Sequence, residues 1–440
     1  MHEKLFYKIK FDNKDNINKK INLINNYNIE IKNIKNRKKH LNILKRFLKE
    51  HKQNLIKFIN LEAHKTIEES KNEFNYALEF VDYSISTVSR YKFEKKTSKS
   101  RKIFYKSSGS VFAITPYNDP LAGMIRKIAP AIAAGSTIIM KTSASCIYLC
   151  KYIEKFIPRD LKRIIQFVFI KNKKLIENIV QNNHIKLVTF TGSTKIGLKL
   201  NDIKTEHLQK KILELGGINY AVIFDDKNLN NVIDEILIRK IKAAGQACSS
   251  INKLYVSNKI KKKFEKIIKD KVSMITCGSV TKKFEPDFGP VISSDHYKFL
   301  KSIEKKSLKN GSLICKSKNR NDTKNLFPLS LIRTSFNDKI FDNLETFGPI
   351  LGISYFNNSD KVFKKISKSN YSLVCYLFTQ NQKIIDASKY LNLGSIGINT
   401  TKIQSPGSPT GGNNLSGIGR EGGVWGFEEF LTTVNYVIKS

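Results

Sequence analysis

Cys248 is the residue of this chain best placed for covalent chemistry. It sits in GQACSS (245–250), with Gly245 and Ala247 ahead of it and Ser249 and Ser250 behind, so no bulky neighbour screens the sulfur. A thiolate is a good nucleophile near neutral pH and can make a carbonyl carbon tetrahedral. The oxygen of such an adduct carries negative charge and needs fixed donors, and a later hydrolysis needs an activated water. Glu214 in LELGG (213–217) lies between Leu213 and Leu215, where partial burial would raise its affinity for a proton. Taken alone, Asn118 between Tyr117 and Asp119 reads as a turn residue, and Lys127 as a solvated helix lysine. The other cysteines (146, 150, 277, 315, 375) are sparse; Cys146 and Cys150 stand one helical turn apart with no second pair, so no metal is expected.

These residues must be held by ordered elements, and the pattern supplies them. Residues 38–95 carry apolar side chains at three- and four-residue spacing and read as helices. The period is lost over 96–109, KKTSKSRKIFYKSS, which reads as an extended basic arm. From 108 onward short apolar strands alternate with helices: SGSVFAITP, then PLAGMIRKIAPAIAAG, then STIIMK. IIQFVFI (164–170), KLIENIVQNN (174–183) and KLVTFTG (186–192) continue the alternation, which predicts a parallel sheet covered on both faces. The pattern restarts after about 216 with NYAVIFDD, NKLYVSN, FGPILGISYF, YSLVCYLFT and GSIGINT as strands, separated by helical stretches such as LNNVIDEILIRKIKAAGQ. The tail EEFLTTVNYVIKS (428–440) predicts an edge strand that wants a partner. The expected fold class is α/β. A parallel-sheet dinucleotide-binding domain (1–95 and 110–216) precedes a second α/β domain (217–415) carrying the nucleophile, and 96–109 with 428–440 form a small β ribbon for oligomerisation.

ITPYNDP (114–120), FTGSTKIG (190–197), LELGG, GQACSS, ETFGP (345–349) and GGNNLSGIGREGG (411–423) follow one another in an ordered set. That set resembles the NAD(P)-dependent aldehyde dehydrogenase superfamily, from about residue 40 to the C-terminus, and in its pocket residues the succinate-semialdehyde dehydrogenase branch. The resemblance implies that Cys248 attacks an aldehyde, because an sp² carbon holds its hydride too tightly to release it. It implies that the Asn118 amide and the Cys248 backbone N–H hold the oxyanion. Glu214, at the family's spacing ahead of Cys248, would be the general base for thioester hydrolysis, and Lys127 would assist proton transfer. The CoA-acylating branch usually lacks that Glu, so Glu214 speaks against it.

For the cofactor, the resemblance implies that Lys141 meets the adenosine ribose and that Gly192 and Ser193 meet the pyrophosphate at a helix start. Pro116 and Tyr117 belong to the same site. Glu345 and Phe347 would meet the nicotinamide ribose and ring. Where NAD-preferring members often have Glu, this chain has Ala144, which cannot repel a 2′-phosphate; NAD(P) is expected, with NADP slightly favoured. The loop KNKKL (171–175) replaces the glycines of many relatives and is read either as a phosphate contact or as a solvated run. For the substrate, Asp119 and Thr410 stand where Phe is frequent and Arg126 where Trp occurs. Arg126 and Lys242 match the places where the succinate-semialdehyde branch has Arg residues binding a far carboxylate. Arg126 also lies two helical turns after Asp119 and could pair with it. The expected substrate is a small anionic semialdehyde, with a phosphonate or small hydroxy-aldehyde next.

Composition bounds the alternatives. The chain has 440 residues, 40% hydrophobic and 26% charged, the balance of a folded protein. Lys plus Arg number 77 against 38 Asp plus Glu, a net charge of +39. The excess is spread along the chain and accompanied by Asn and Ile, and no zinc-finger spacing or aromatic single-strand platform goes with it, so a nucleic-acid partner is not expected. No uncharged run of membrane-spanning length occurs, and MHEKLFYKIKFDNKDN lacks the apolar core of a secretory signal. These features and the scattered thiols lead to a cytoplasmic enzyme, a homodimer or homotetramer acting on a small-molecule aldehyde.

Overall fold

The computed structural model describes residues 9–27, 33–281 and 285–438. Residues 1–8 and 28–32 of the expected first domain, 282–284 of the expected second and 439–440 of the expected tail arm lie outside them. Two sheets carry the molecule. The first has six strands in the order Gly417–Ile418, Lys210–Glu214, Ile185–Thr191, Ser110–Ile114, Ile138–Lys141, Ile165–Phe167. Its last five strands are mutually parallel, and Gly417–Ile418 joins antiparallel at the edge. VFAI within Ser110–Ile114 is buried on both faces, as a central parallel strand must be. One face packs on the helices Ile34–Glu50, Lys52–Ala63, Ile67–Arg90 and Pro120–Ala134. The other is covered in part by helix Lys14–Tyr27 through Ile17, Ile21 and Ile24. That helix is absent from the sequence reading, because its Lys and Asn content hides a narrow three-isoleucine stripe.

The second sheet has seven strands in the order Ser312–Lys316, Ser330–Arg333, Ile350–Phe356, Ile251–Ser257, Asn219–Ile223, Val374–Phe378, Ser395–Ile398, parallel except for the first. A separate three-stranded ribbon pairs Glu94–Ser98 with Arg101–Ser107 and Arg101–Ser107 with the tail strand Leu431–Val437. The tail strand is the ribbon's edge, with Tyr436 and Val437 exposed.

Three boundaries differ from the pattern reading, each for a local reason. The helical stretch expected to reach residue 95 stops at Arg90, and Glu94 already belongs to the ribbon. The strand expected over 164–170 is only Ile165–Phe167, because the Phe169 backbone turns away to bond Asp12: Asp12 N–H donates to Phe169 O (2.8 Å) and Phe169 N–H to Asp12 Oδ2 (2.8 Å). The helix expected through Gln246 ends at Ile241, for a reason that belongs to the site.

Candidate active site

After Ile241 the chain leaves the helix through three left-handed residues: Ala243 (φ 50°), Ala244 (φ 54°) and Gly245 (φ 73°). Alanine in that region is strained by about 1–2 kcal/mol per residue, so the surroundings must hold the turn. Glu69 accepts from Ala243 N–H (2.6 Å). Gly245 presses on the opposing backbone so closely that a Cβ there would lie 2.4 Å from the Gly348 carbonyl carbon. Beyond the turn, Cys248 is half-buried, and the four residues from it onward are gripped by side chains. Asn219 Nδ2 donates to the carbonyls of Cys248 (2.6 Å) and Ser250 (2.9 Å), while its Oδ1 accepts from Val374 N–H (3.1 Å). Tyr376 OH donates to Ser249 O (2.8 Å), Arg239 to Ser249 Oγ (3.1 Å), and Lys240 Nζ to Ile251 O (2.8 Å).

Opposite the sulfur, Glu214 ends its strand and is buried. Its Oε1 has no hydrogen-bond partner, and Gly411 approaches so near that a Cβ there would sit 2.5 Å from that oxygen. Burial, reinforced by the charge of Glu421, pushes the Glu214 carboxyl well above the usual range. Burial also pushes the Cys248 thiol up to about 11, against the pull of the Arg126 charge. The Cys248 thiol is therefore protonated at rest near neutral pH. Asn118, also buried, lines the same cavity of about 270 Å³ as Cys248 and Glu214.

Lys127 is 1% exposed, which removes the reading of a solvated helix lysine. Its Nζ donates to Thr189 Oγ1 (2.7 Å) and to Glu421 Oε1. Glu421 is a functional-site residue that the sequence reading passed over; an isolated carboxylate inside a Gly-rich run was the available signal. It also faces Arg126 (3.6 Å) and accepts from Thr191 Oγ1 (3.4 Å); the Lys127 and Arg126 charges, helped by the Lys127 and Thr191 hydrogen bonds, keep its carboxyl low despite its burial. Arg126 is buried, stands 4.0 Å from Asp119, and keeps an Nε with no partner. The anticipated Arg126–Asp119 pair is thus loose. Asp119 bonds instead to Lys65 Nζ (2.7 Å), a wholly buried lysine that also binds Glu73 (2.7 Å). Against the cost of burial, Lys65, Lys242 and Arg126 hold Asp119 at about 2.

Two expected substrate positions are placed differently. Lys242 is exposed and does not line the cavity, although its charge still acts on Asp119. Thr410 lines a smaller adjoining cavity of about 20 Å³ together with Cys248, Glu214 and Arg126, and its backbone pairs with Glu421.

On the other side of the sulfur, Pro116, Tyr117, Gly192, Ser193, Glu345 and Phe347 line the main cavity. Gly216 has no room for a side chain, since a Cβ would fall 2.2 Å from Glu345 Oε2. Gly217 N–H donates to Glu345 Oε1 (3.2 Å), yet burial still pushes that carboxyl up to about 7. Tyr117 OH donates to Gln246 Oε1 (3.2 Å). Lys141 and Ala144 do not line this cavity. They lie at the C-terminal end of strand Ile138–Lys141 and in the short turn Ala144–Cys146. Burial, with a smaller contribution from nearby Lys173, lowers the Lys141 ammonium pKa. His296, also on the cavity wall, went unnoticed in the sequence because one histidine among seven carries no pattern.

The chain belongs to the aldehyde dehydrogenase family, whose model matches residues 6–436. It is 30% identical over 388 residues to a succinate semialdehyde dehydrogenase of Acinetobacter baylyi, covering 86% of this chain and 80% of that one. It is 31% identical over 395 residues to a lactaldehyde dehydrogenase of Methanococcus maripaludis, covering 87% and 83%. Among solved structures, a glyceraldehyde-3-phosphate dehydrogenase of Methanocaldococcus jannaschii complexed with NADP superposes with a TM-score of 0.91 at 26% identity, covering 99% of this chain and 96% of that one. Among the described residues, no helix is long and apolar enough to cross a membrane.

Proposed function

We propose that this aldehyde dehydrogenase oxidises a small anionic semialdehyde to its carboxylate through a thiohemiacetal and a thioester on Cys248. The observation that carries the reading is that Cys248, Asn118 and an unpartnered Glu214 oxygen share one cavity. With the thiol raised by burial, the nucleophile needs a base, and Glu214 faces it across the cavity. The Asn118 amide and the Cys248 backbone N–H take the oxyanion; the grip on the Cys248 carbonyl fixes the orientation of that segment. When bound, NAD(P)+ supplies the hydride acceptor. Glu214 then deprotonates the water that hydrolyses the thioester, and the buried Lys127–Glu421 pair behind it offers a neighbouring site for the proton.

Anion selection rests on Arg126, whose buried Nε lacks a partner and whose carboxylate neighbours stand at 3.6 and 4.0 Å, leaving hydrogen-bonding capacity for a substrate oxygen. The relatives named for succinate semialdehyde and for lactaldehyde bracket the class. NADP is slightly favoured because Ala144 carries no charge to repel a 2′-phosphate; the NADP-bound relative supports this. The exposed tail strand supports a homodimer or homotetramer, and six free cysteines support a cytoplasmic setting. The test is NADP+ reduction without added CoA over a panel of aldehydes, using Cys248→Ala and Arg126→Ala. Cys248→Ala should abolish turnover; Arg126→Ala should raise KM for succinate semialdehyde far more than for butyraldehyde. Persistent turnover without Cys248 defeats the mechanism, and equal effects on both aldehydes defeat the anion anchor.

A further inference from the structure

Phe347 is an aromatic residue with φ 46°, a backbone conformation that a bulky side chain rarely adopts. Something must hold it. Helix Ser294–Asn310 begins beside it, and His296 in the first turn places Nε2 2.7 Å from the Phe347 carbonyl oxygen. The imidazole stacks on Phe299 (5.7 Å, 27°) and meets the Phe347 ring edge-on (6.5 Å, 71°). With a carbonyl as partner, Nε2 carries the proton and donates. Burial and the positive end of the helix both favour the neutral ring. One turn further along the same helix, Leu300 packs so tightly on Gly348 that a Cβ there would lie 2.6 Å from its methyl carbon. The Phe347–Gly348 turn is therefore buttressed by one helix at two successive points.

The turn touches both halves of the site. Upstream it continues from Glu345, and the Phe347 ring meets the Tyr117 ring edge-on (6.2 Å, 85°) across the cavity. Downstream, the Gly348 carbonyl abuts Gly245, three residues ahead of the nucleophile, with no space for a methyl group between them. We propose that His296 is a positioning residue: by donating to the Phe347 carbonyl it holds this turn in its left-handed form, and so sets at once the Phe347 wall of the cavity and the seat of the turn that carries Cys248. It acts through the backbone and does not take part in the chemistry. The proposal rests on the aldehyde dehydrogenase reading only for the role of that wall in cofactor binding; the effect on Cys248 does not depend on it.

His296→Leu and His296→Gln in the full chain test this with two readouts. One is the Kd for NADPH from nicotinamide fluorescence. The other is the rate at which iodoacetamide alkylates Cys248 in the cofactor-free enzyme, assigned by peptide mapping so that the other thiols are separated. Loss of the buried hydrogen bond in the Leu variant should raise the Kd about tenfold and change the alkylation rate about threefold or more. Gln carries an amide N–H that can reach the same carbonyl and should return both to within about twofold of the parent, a prediction that stands even if the Leu variant does not fold. Parental values in the Leu variant overturn the proposal. So does a folded Gln variant as impaired as Leu, because the imidazole itself would then be what is needed. Failure of the parent enzyme to bind NADPH would instead count against the dinucleotide reading, leaving the alkylation readout to judge His296.

Discussion

The two walls facing Cys248 are held by different forces. The wall that carries the sulfur is fixed by hydrogen bonds to its backbone and by close backbone packing: Asn219 and Tyr376, with Arg239 and Lys240, on the residues after it, and Glu69 and the Gly245–Gly348 contact before it. The wall that carries Glu214 is ionic: Lys127, Arg126, Glu421, Asp119 and Lys65 neutralise one another in a chain of buried contacts. A nucleophile needs an invariant position, and the neutral Asn219 and Tyr376 bonds contribute one part of it that pH and salt scarcely alter. Proton transfer needs groups whose charge can change, and the second wall gathers a linked set of them around Glu214. The difference teaches that position and protonation are handled by separate parts of this site.

The largest expected effect comes from breaking the ionic wall. Glu421→Ala leaves Lys127 and Arg126 buried without their shared carboxylate and should cost about 3–5 kcal/mol in unfolding free energy, measured by urea denaturation. A loss under about 1 kcal/mol would mean that water already reaches these charges. Next, Asn219→Leu removes three hydrogen bonds from the neutral wall and should cost about 2–3 kcal/mol, with kcat/KM falling at least about tenfold. Unchanged kcat/KM in a folded variant would show that the grip is structural only.

The pH profile sharpens the contrast. The Cys248 thiol and the Glu214 carboxyl are both raised by burial, and kcat/KM should climb with pH above neutrality as the thiol ionises. The charge of Glu421 adds to the rise of Glu214; Glu421→Gln removes it and should move the inflection to lower pH, whereas Asn219→Leu should leave the inflection in place. An identical shift in both variants would erase the distinction between the walls. The smallest effect belongs to the strained turn. Ala244→Gly relieves a left-handed alanine and should stabilise the fold by up to about 1 kcal/mol, read as a rise in Tm. A fall in Tm would show that the Ala244 methyl contributes more by packing than its backbone costs.

Much of this was legible in one dimension. Alternating apolar runs revealed the parallel sheets because a strand buried on both faces has to be continuously apolar, as in SVFAI. Small residues around Cys248 and the ordered motifs marked the family and its reaction. Helix Lys14–Tyr27 was not legible, since three isoleucines among lysines and asparagines are a weak stripe until a sheet face meets them. Lys65 and His296 were illegible for another reason: each works on a partner far along the chain, Asp119 and the Phe347 carbonyl, and neither spacing nor composition encodes that meeting.

Residue chemistry by itself determined the family and its class of reaction, through a thiol among small neighbours and an ordered set of short motifs, because those properties belong to side chains and their near neighbours. Tertiary structure alone decided which charges neutralise which. It made Arg126 a shared cation and not a simple partner of Asp119, drew Glu421 behind Lys127, and kept Lys242 off the cavity wall. Charge interactions depend on distance and on exclusion of water, and both exist only once distant segments have packed together.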